Sequence, residues 1–196
     1  MPFSQVIGQE TPKRYLVRSV NESKVSHAQL FLGPEGSGNL ALALAFAQFV
    51  NCENRSTDDS CGVCPSCLKA QKFIHPDIHF SFPFVRTAQK KLSTDYLPEW
   101  RKALEENTYL GYNGWIQSID AENKQGNINI HECHDIIRRL NLKTFESEYK
   151  VLIMWLPEYM GKEGNTLLKL IEEPPEKTLI IMVASDESQI LNTILS

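Results

Sequence analysis

Two stretches of this chain are apolar from end to end: Val151-Leu152-Ile153-Met154-Trp155 and Leu179-Ile180-Ile181-Met182-Val183-Ala184. A strand with one wet face alternates polar and apolar residues. A continuous run is covered on both faces, as happens in a parallel sheet with helices on either side. The rest of the sequence fits that reading, because helix and strand patterns alternate along it. Thr11 to Val20 reads as helix, and Ala28-Gln29-Leu30-Phe31-Leu32 as a short strand stopped by Gly33-Pro34. Leu40 to Val50 is Ala-rich and almost wholly apolar, which suits a helix buried against a sheet. Asp77 to Phe82 is a second strand, and Gly126 to Ile130 a further short one before a helix across Cys133 to Leu140. Asn165 to Glu173 is a helix ended by Pro174-Pro175. The fold class expected is α/β with a parallel sheet.

The stretch from about 83 to 125 is less regular. It carries Tyr96, Trp100, Tyr109, Tyr112 and Trp115, too many aromatics for a disordered linker. An ordered insertion packed on the sheet edge is expected, with a helix near Glu99 to Glu106.

Between the first strand and its helix lies Gly33-Pro34-Glu35-Gly36-Ser37-Gly38-Asn39-Leu40. This is the context of a phosphate-binding loop, G-x-x-x-x-G-K-[ST], whose glycines let backbone N–H groups converge on an anion. Gly33, Gly36 and Gly38 fit. Asn39 stands where lysine would meet the β- and γ-phosphates, and Leu40 where a hydroxyl would hold magnesium. At the end of the central strand, Trp155 and Leu156 stand where a metal-binding Asp and a water-activating Glu would be; Glu158 is displaced beyond Pro157. A loop of phosphate-binding ancestry without hydrolysis accounts for these residues; the alternative is a glycine-rich turn with no nucleotide history.

Four of the five cysteines crowd together as Cys52-x8-Cys61-x2-Cys64-x2-Cys67. Four thiolates in knuckle-like turns suit a closed tetrahedral structural zinc in a module spanning 51–71. An iron–sulfur cluster and four free buried thiols are the other readings. Cys133 reads as an ordinary buried or half-buried thiol. His75 and His79 flank Pro76-Asp77, and the proline breaks helical geometry between them, so a structural turn is expected. His131 and His134, beside Glu132, are expected to be solvated, as are Arg138, Arg139, Lys143 and Lys150. A formal net charge of −4 speaks against wholesale coating by nucleic acid. No apolar run reaches membrane-spanning length, and Met1-Pro2-Phe3-Ser4-Gln5 lacks a leader pattern, so a cytoplasmic protein without a membrane partner is expected.

Several segments together carry a resemblance. They are Val6-Ile7-Gly8-Gln9; Ser26-His27-Ala28 through Gly38; the four-cysteine module after the loop's helix; His75-Pro76-Asp77; and Asn165-Thr166-Leu167-Leu168-Lys169-Leu170-Ile171-Glu172-Glu173-Pro174-Pro175. Over nearly its whole length the chain resembles the clamp-loader branch of the AAA+ superfamily, in which gamma/tau and delta-prime subunits carry such a zinc insert. Gamma/tau subunits keep the lysine, threonine, aspartate and glutamate, so the degenerate loop resembles the delta-prime type. The resemblance implies a three-layer P-loop AAA+ domain over 1–196. It also implies an adenine-pocket-like segment at Val6, Ile7, Gly8 and Gln9, and a sensor position at Ser185. Structural zinc is implied as cofactor, with ATP not bound. The implied role is that of a non-catalytic member of a ring with gamma/tau and delta subunits, loading a sliding clamp on primed DNA. An ATP-hydrolysing gamma/tau-type subunit and a zinc-dependent nucleic-acid binder are the alternatives; Lys69 and Lys72 are nearly all the basic residues near the cysteines to serve the second. In the family an arginine follows the approach matched by Thr193-Ile194-Leu195-Ser196 and enters a neighbouring ATP site; it, the lid and collar domains and a fifth strand are expected beyond Ser196. Without that strand the outer edge of Ala28 to Leu32 is open to pairing between chains.

Overall fold

The computed structural model describes residues 1–186, 188 and 190. Thr193 to Ser196 lie outside the described residues. Four parallel strands form one sheet: β1 (Ala28–Leu32), β2 (Ile78–Ser81), β3 (Lys150–Trp155) and β4 (Thr178–Ala184), in the spatial order β1-β4-β3-β2. The two apolar runs are the two central strands, and every residue of both is buried.

Alternate residues of those strands enter two different cores, which is why neither run alternates. Val151, Ile153, Trp155, Leu179, Ile181 and Val183 face one core, shared with helices α1 (Glu10–Asn21) and α2 (Asn39–Val50). Leu152, Met154, Ile180, Met182 and Ala184 face the other, built with α6 (Ile130–Leu140) and α7 (Leu168–Glu172). The result is a three-layer α/β domain. Helix α2 is buried along almost its whole length, so its Leu/Ala composition lets backbone and sheet approach closely. β1 is an edge strand with β4 as its described partner, and Leu32 is exposed.

The module around the cysteines contains a short helix, α3 (Pro65–Gln71), capped by Cys64. It is tied to the sheet. Asn51 Nδ2 donates to the Tyr149 carbonyl at 3.1 Å, and Ser66 Oγ donates to the Asn51 carbonyl at 2.7 Å. His75 is buried. Its ring accepts from Asp77 N–H at 3.1 Å and lies 3.1 Å from both Ser66 Oγ and Ser147 Oγ, the structural turn expected of it. Asp77 accepts backbone N–H bonds from Phe145, Glu146 and Ser147.

The insertion folds as a 3-10 turn (Ser93–Tyr96), α4 (Leu97–Glu106) and α5 (Tyr112–Ser118). Its aromatics do more than cover the β2 edge. Trp100 and Trp115 are fully buried, and Trp100 stacks on Phe82 at 4.1 Å and contacts Trp155 at 5.2 Å. The insertion therefore closes over the end of the central strand.

Four local expectations are corrected. Gly126 to Ile130 is not a strand; a single bridge joins Asn127 to Phe84, and Asn129 instead caps α6, accepting N–H bonds from His131 and Glu132. The helix expected from Asn165 is shortened to α7, because a 3-10 segment (Pro157–Leu167), kinked at Gly161, occupies its start. Glu132 and Arg139 are not solvated: Glu132 is fully buried, accepts from Ser93 Oγ at 2.6 Å and pairs with Arg139 at 3.2 Å. Lys150 is buried, its ammonium donating to the Leu140 carbonyl at 3.0 Å. His131, His134, Arg138 and Lys143 are exposed.

Candidate functional site

The glycine loop sits at the C-terminal end of β1, where parallel α/β sheets place their ligand crevices. Gly36 and Gly38 have φ of 79° and 89°, the left-handed backbone that a converging N–H loop requires. A cleft of about 420 Å³ runs between α1, the β1 edge and this loop. Its lining, among the described residues, contains Gln9, Tyr15, Ser37 and Asn39 but no charged side chain.

Asn39 does not reach out of the loop. Its Nδ2 donates to the Gly33 carbonyl at 3.0 Å and to the Ala184 carbonyl at 3.0 Å, while its Oδ1 accepts from Leu40 N–H at 2.9 Å. The amide thus staples the start of the loop to the end of β4. Leu40 is buried in the core beneath the loop. Gln9 Nε2 donates to the Ser37 carbonyl at 2.7 Å, clamping the loop from the N-terminal side.

The acidic end of the site is also rebuilt. Trp155 is buried in the aromatic core. Leu156 is buried in a left-handed conformation, φ 55°, which costs a leucine about 1 kcal/mol or more. Glu158 turns to Ser185, accepting from its N–H at 2.9 Å and its hydroxyl at 2.7 Å. Glu158 is therefore engaged by Ser185 through one carboxylate oxygen. Among the described residues, the cleft's lining carries neither a cationic side chain nor a carboxylate.

The segment Val6 to Gln9 lies beside the loop. Val6 is buried, and its carbonyl accepts from Lys13 Nζ at 2.7 Å; Ile7 is exposed. Sequence reasoning missed what covers them. The Ile7 N–H donates to Tyr109 Oη at 2.7 Å, from 102 residues away. The Tyr109 ring lies so close to Gly38 that a Cβ there would meet it at 3.0 Å. Glu35, in the loop itself, accepts from Tyr112 N–H at 3.0 Å. Only the aromatic content of the insertion hinted that it packs; no local pattern says where.

The second site is the cysteine cluster. The sulfurs of Cys52, Cys61, Cys64 and Cys67 all lie within 4.8 Å of one another. A tetrahedral zinc with Zn–S of about 2.3 Å needs sulfurs roughly 3.8 Å apart, so a small inward adjustment closes the shell. The backbone is arranged for thiolates. Cys61 N–H points at Cys52 Sγ (3.3 Å), Cys64 N–H at Cys61 Sγ (3.4 Å) and Cys67 N–H at Cys64 Sγ (3.4 Å). Backbone donors at Val63 and Cys64 bring the Cys61 thiol down to about 6. An all-sulfur, backbone-supported set of four is compatible with structural zinc. Gly62, with φ 72°, makes the turn between two of the ligands. Cys133 is buried apart from this cluster, in the second core.

Together these features define a three-layer parallel α/β domain with a phosphate-loop-like crevice at its sheet end and a four-thiol cluster inserted after α2. The chain belongs to the DNA polymerase III, delta subunit family, whose profile matches residues 8–196. Among curated relatives, it is 27% identical over 195 residues to DNA polymerase III subunit tau of Bacillus subtilis, covering 99% of this chain and 27% of that protein. It is 23% identical to DNA polymerase III subunit tau of Escherichia coli, covering 99% of this chain and 24% of that one. The chain thus spans about a quarter of the length of these relatives. The crystal structure of a DNA polymerase III, gamma subunit-related protein from Thermotoga maritima matches with a TM-score of 0.54 at 17% identity, covering 93% of this chain and 42% of that one; it shares the fold. Among the described residues, no helix is long and apolar enough to cross a membrane.

Proposed function

We propose that this chain is the nucleotide-binding-type domain of a clamp-loader subunit of DNA polymerase III, of the non-catalytic, delta-prime type. In this reading it acts in the cytoplasm as a fixed member of a ring with gamma/tau and delta subunits. The ring uses ATP hydrolysed elsewhere to load a sliding clamp on primed DNA. Family membership supports the clamp-loader class. One observation carries the non-catalytic part: the Asn39 amide, at the position of the phosphate-binding lysine, is spent on the Gly33 and Ala184 carbonyls. Phosphoryl transfer depends on positioned cations and metal ligands, and here those positions hold an amide, a leucine, a tryptophan and another leucine. Zinc in the cysteine module is structural in this account, and Ser185 and Val6 to Gln9 keep only their places in the fold.

The relatives named tau and gamma/tau favour a second reading, an ATP-hydrolysing subunit. It requires turnover at this crevice. Affinity purification of the full-length protein from its host, followed by an ATPase assay of the isolated protein, separates the two. Recovery with polymerase III clamp-loading subunits and no intrinsic hydrolysis is expected. Hydrolysis by the isolated protein would move it to the second reading, and recovery with no replication protein would remove both.

A further inference from the structure

The tip of the insertion lies on the glycine loop. Three contacts meet there. Tyr109 Oη takes the Ile7 N–H (2.7 Å), the Tyr109 ring lies 3.0 Å from where a Cβ of Gly38 would stand, and Glu35 takes the Tyr112 N–H (3.0 Å). A Cβ added at Gly111 would meet Glu35 Oε2 at 2.6 Å, so any side chain there would have to displace the Glu35 carboxylate.

The tip is anchored at both ends. Before it, the Asn107 side chain accepts the Tyr109 N–H at 2.9 Å. After it, Tyr112 stacks on Tyr159 at 4.4 Å and its hydroxyl accepts the Gly126 N–H at 2.8 Å. Trp115, three residues on, is fully buried and donates to the Pro83 carbonyl. The segment is held by the aromatic core on one side and delivered to the loop on the other.

Each contact takes a group that an open cleft would offer to a ligand: a backbone N–H of the Val6 to Gln9 segment, the face of a loop glycine, and the space above the loop. Glu35 adds a carboxylate where an anion would otherwise be drawn. We propose that residues 107–112 are an internal strap laid over the glycine loop beside the open cleft, holding the N-terminal segment and the loop together in the absence of nucleotide. This rests on the non-catalytic reading above and gives the insertion its task. A strap carried by the same chain acts at high effective concentration and needs no ligand in solution.

The test is amide hydrogen exchange on the 196-residue chain. Tyr109→Phe removes only the hydroxyl. It should speed exchange of the Ile7 amide about three- to tenfold, the worth of one hydrogen bond, while Gly38 stays as in wild type. Tyr109→Ala should speed both. Glu35→Gln, which keeps the acceptor, should leave the Tyr112 amide protected, whereas Glu35→Ala should release it. Unchanged exchange at Ile7 in Tyr109→Phe and at Tyr112 in Glu35→Ala would overturn the strap and leave the non-catalytic reading standing. Conversely, protection of Gly36 and Gly38 by added magnesium-ATP in wild type would show that the crevice admits nucleotide, overturning the reading on which the strap rests.

Discussion

Asn39 is the residue at which the account is easiest to break, and its geometry allows the effect to be worked through. Its amide nitrogen donates to two carbonyls and its oxygen accepts one N–H, all near 3 Å. Asn39→Ala deletes three hydrogen bonds, each contributing about 0.5–1.5 kcal/mol. The groups are only part-buried, so water takes over some of them, and a loss of roughly 2–3 kcal/mol is expected. In a domain of this size that lowers the thermal midpoint by roughly 4–10 °C. Asn39→Asp is the sharper perturbation. It has the same shape and keeps the acceptor for Leu40, but replaces the donor with an oxygen facing the Gly33 and Ala184 carbonyls. Two attractive contacts become repulsive, so Asp should be worse than Ala despite being isosteric. Asn39→Lys should also destabilise, since lysine has no acceptor for the Leu40 N–H, and under the proposed reading it should not create ATP turnover, because Trp155 and Leu156 remain at the end of β3. The assay is calorimetric melting at pH 7 with a coupled ATPase measurement. An Asn39→Asp midpoint equal to wild type would refute the staple, and turnover by Asn39→Lys would refute the claim that the site is dismantled at both ends.

Three further outcomes follow from particular contacts. Trp100→Ala, emptying a fully buried site among Phe80, Phe82, Trp115 and Trp155, should cost about 3–5 kcal/mol in urea unfolding; Trp100→Phe should cost much less, because the indole N–H has no partner to lose. Burial, then Arg139 and Lys150, bring the His79 imidazole down to about 4. The unfolded chain therefore binds the extra proton first, and stability present above pH about 6.5 should fall by on the order of 3 kcal/mol as pH drops towards 4; His79→Gln should flatten that slope, and NMR titration of the ring checks the cause. Protein purified without chelator should carry about one zinc per chain, and Cys64→Ser should lose it and expose the Pro65–Gln71 helix to exchange, because Cys64 both belongs to the cluster and caps that helix.

What could be read from the sequence was what depends on short range. The two apolar runs are the central strands because two-sided burial writes itself into consecutive residues. The glycine loop and the cysteine spacing were legible because their chemistry needs fixed offsets. Several of the misreadings turn on a partner outside the local pattern. Lys150 looks like a solvated base at a strand start, but its long stem lies inside and its ammonium finds the end of α6. Glu132 and Arg139 look like helix surface until Ser93, from the insertion, closes over them. Gly126 to Ile130 has strand-like residues, yet only one antiparallel bridge is available to it. The contact between Tyr109 and Ile7 joins segments 102 residues apart, and no periodicity encodes it. That Asn39 is turned inward, that Leu40, Trp155 and Leu156 are buried and that Glu158 is held by Ser185 required the fold.

The most direct measurement is equilibrium titration of the wild-type chain with magnesium-ATP by isothermal calorimetry, with released phosphate monitored in the same sample. No saturable heat at micromolar nucleotide and no phosphate above the buffer rate are expected under the proposal that Asn39 and Trp155 stand where an active crevice carries lysine and aspartate. Stoichiometric micromolar binding accompanied by phosphate release would contradict the account at its root.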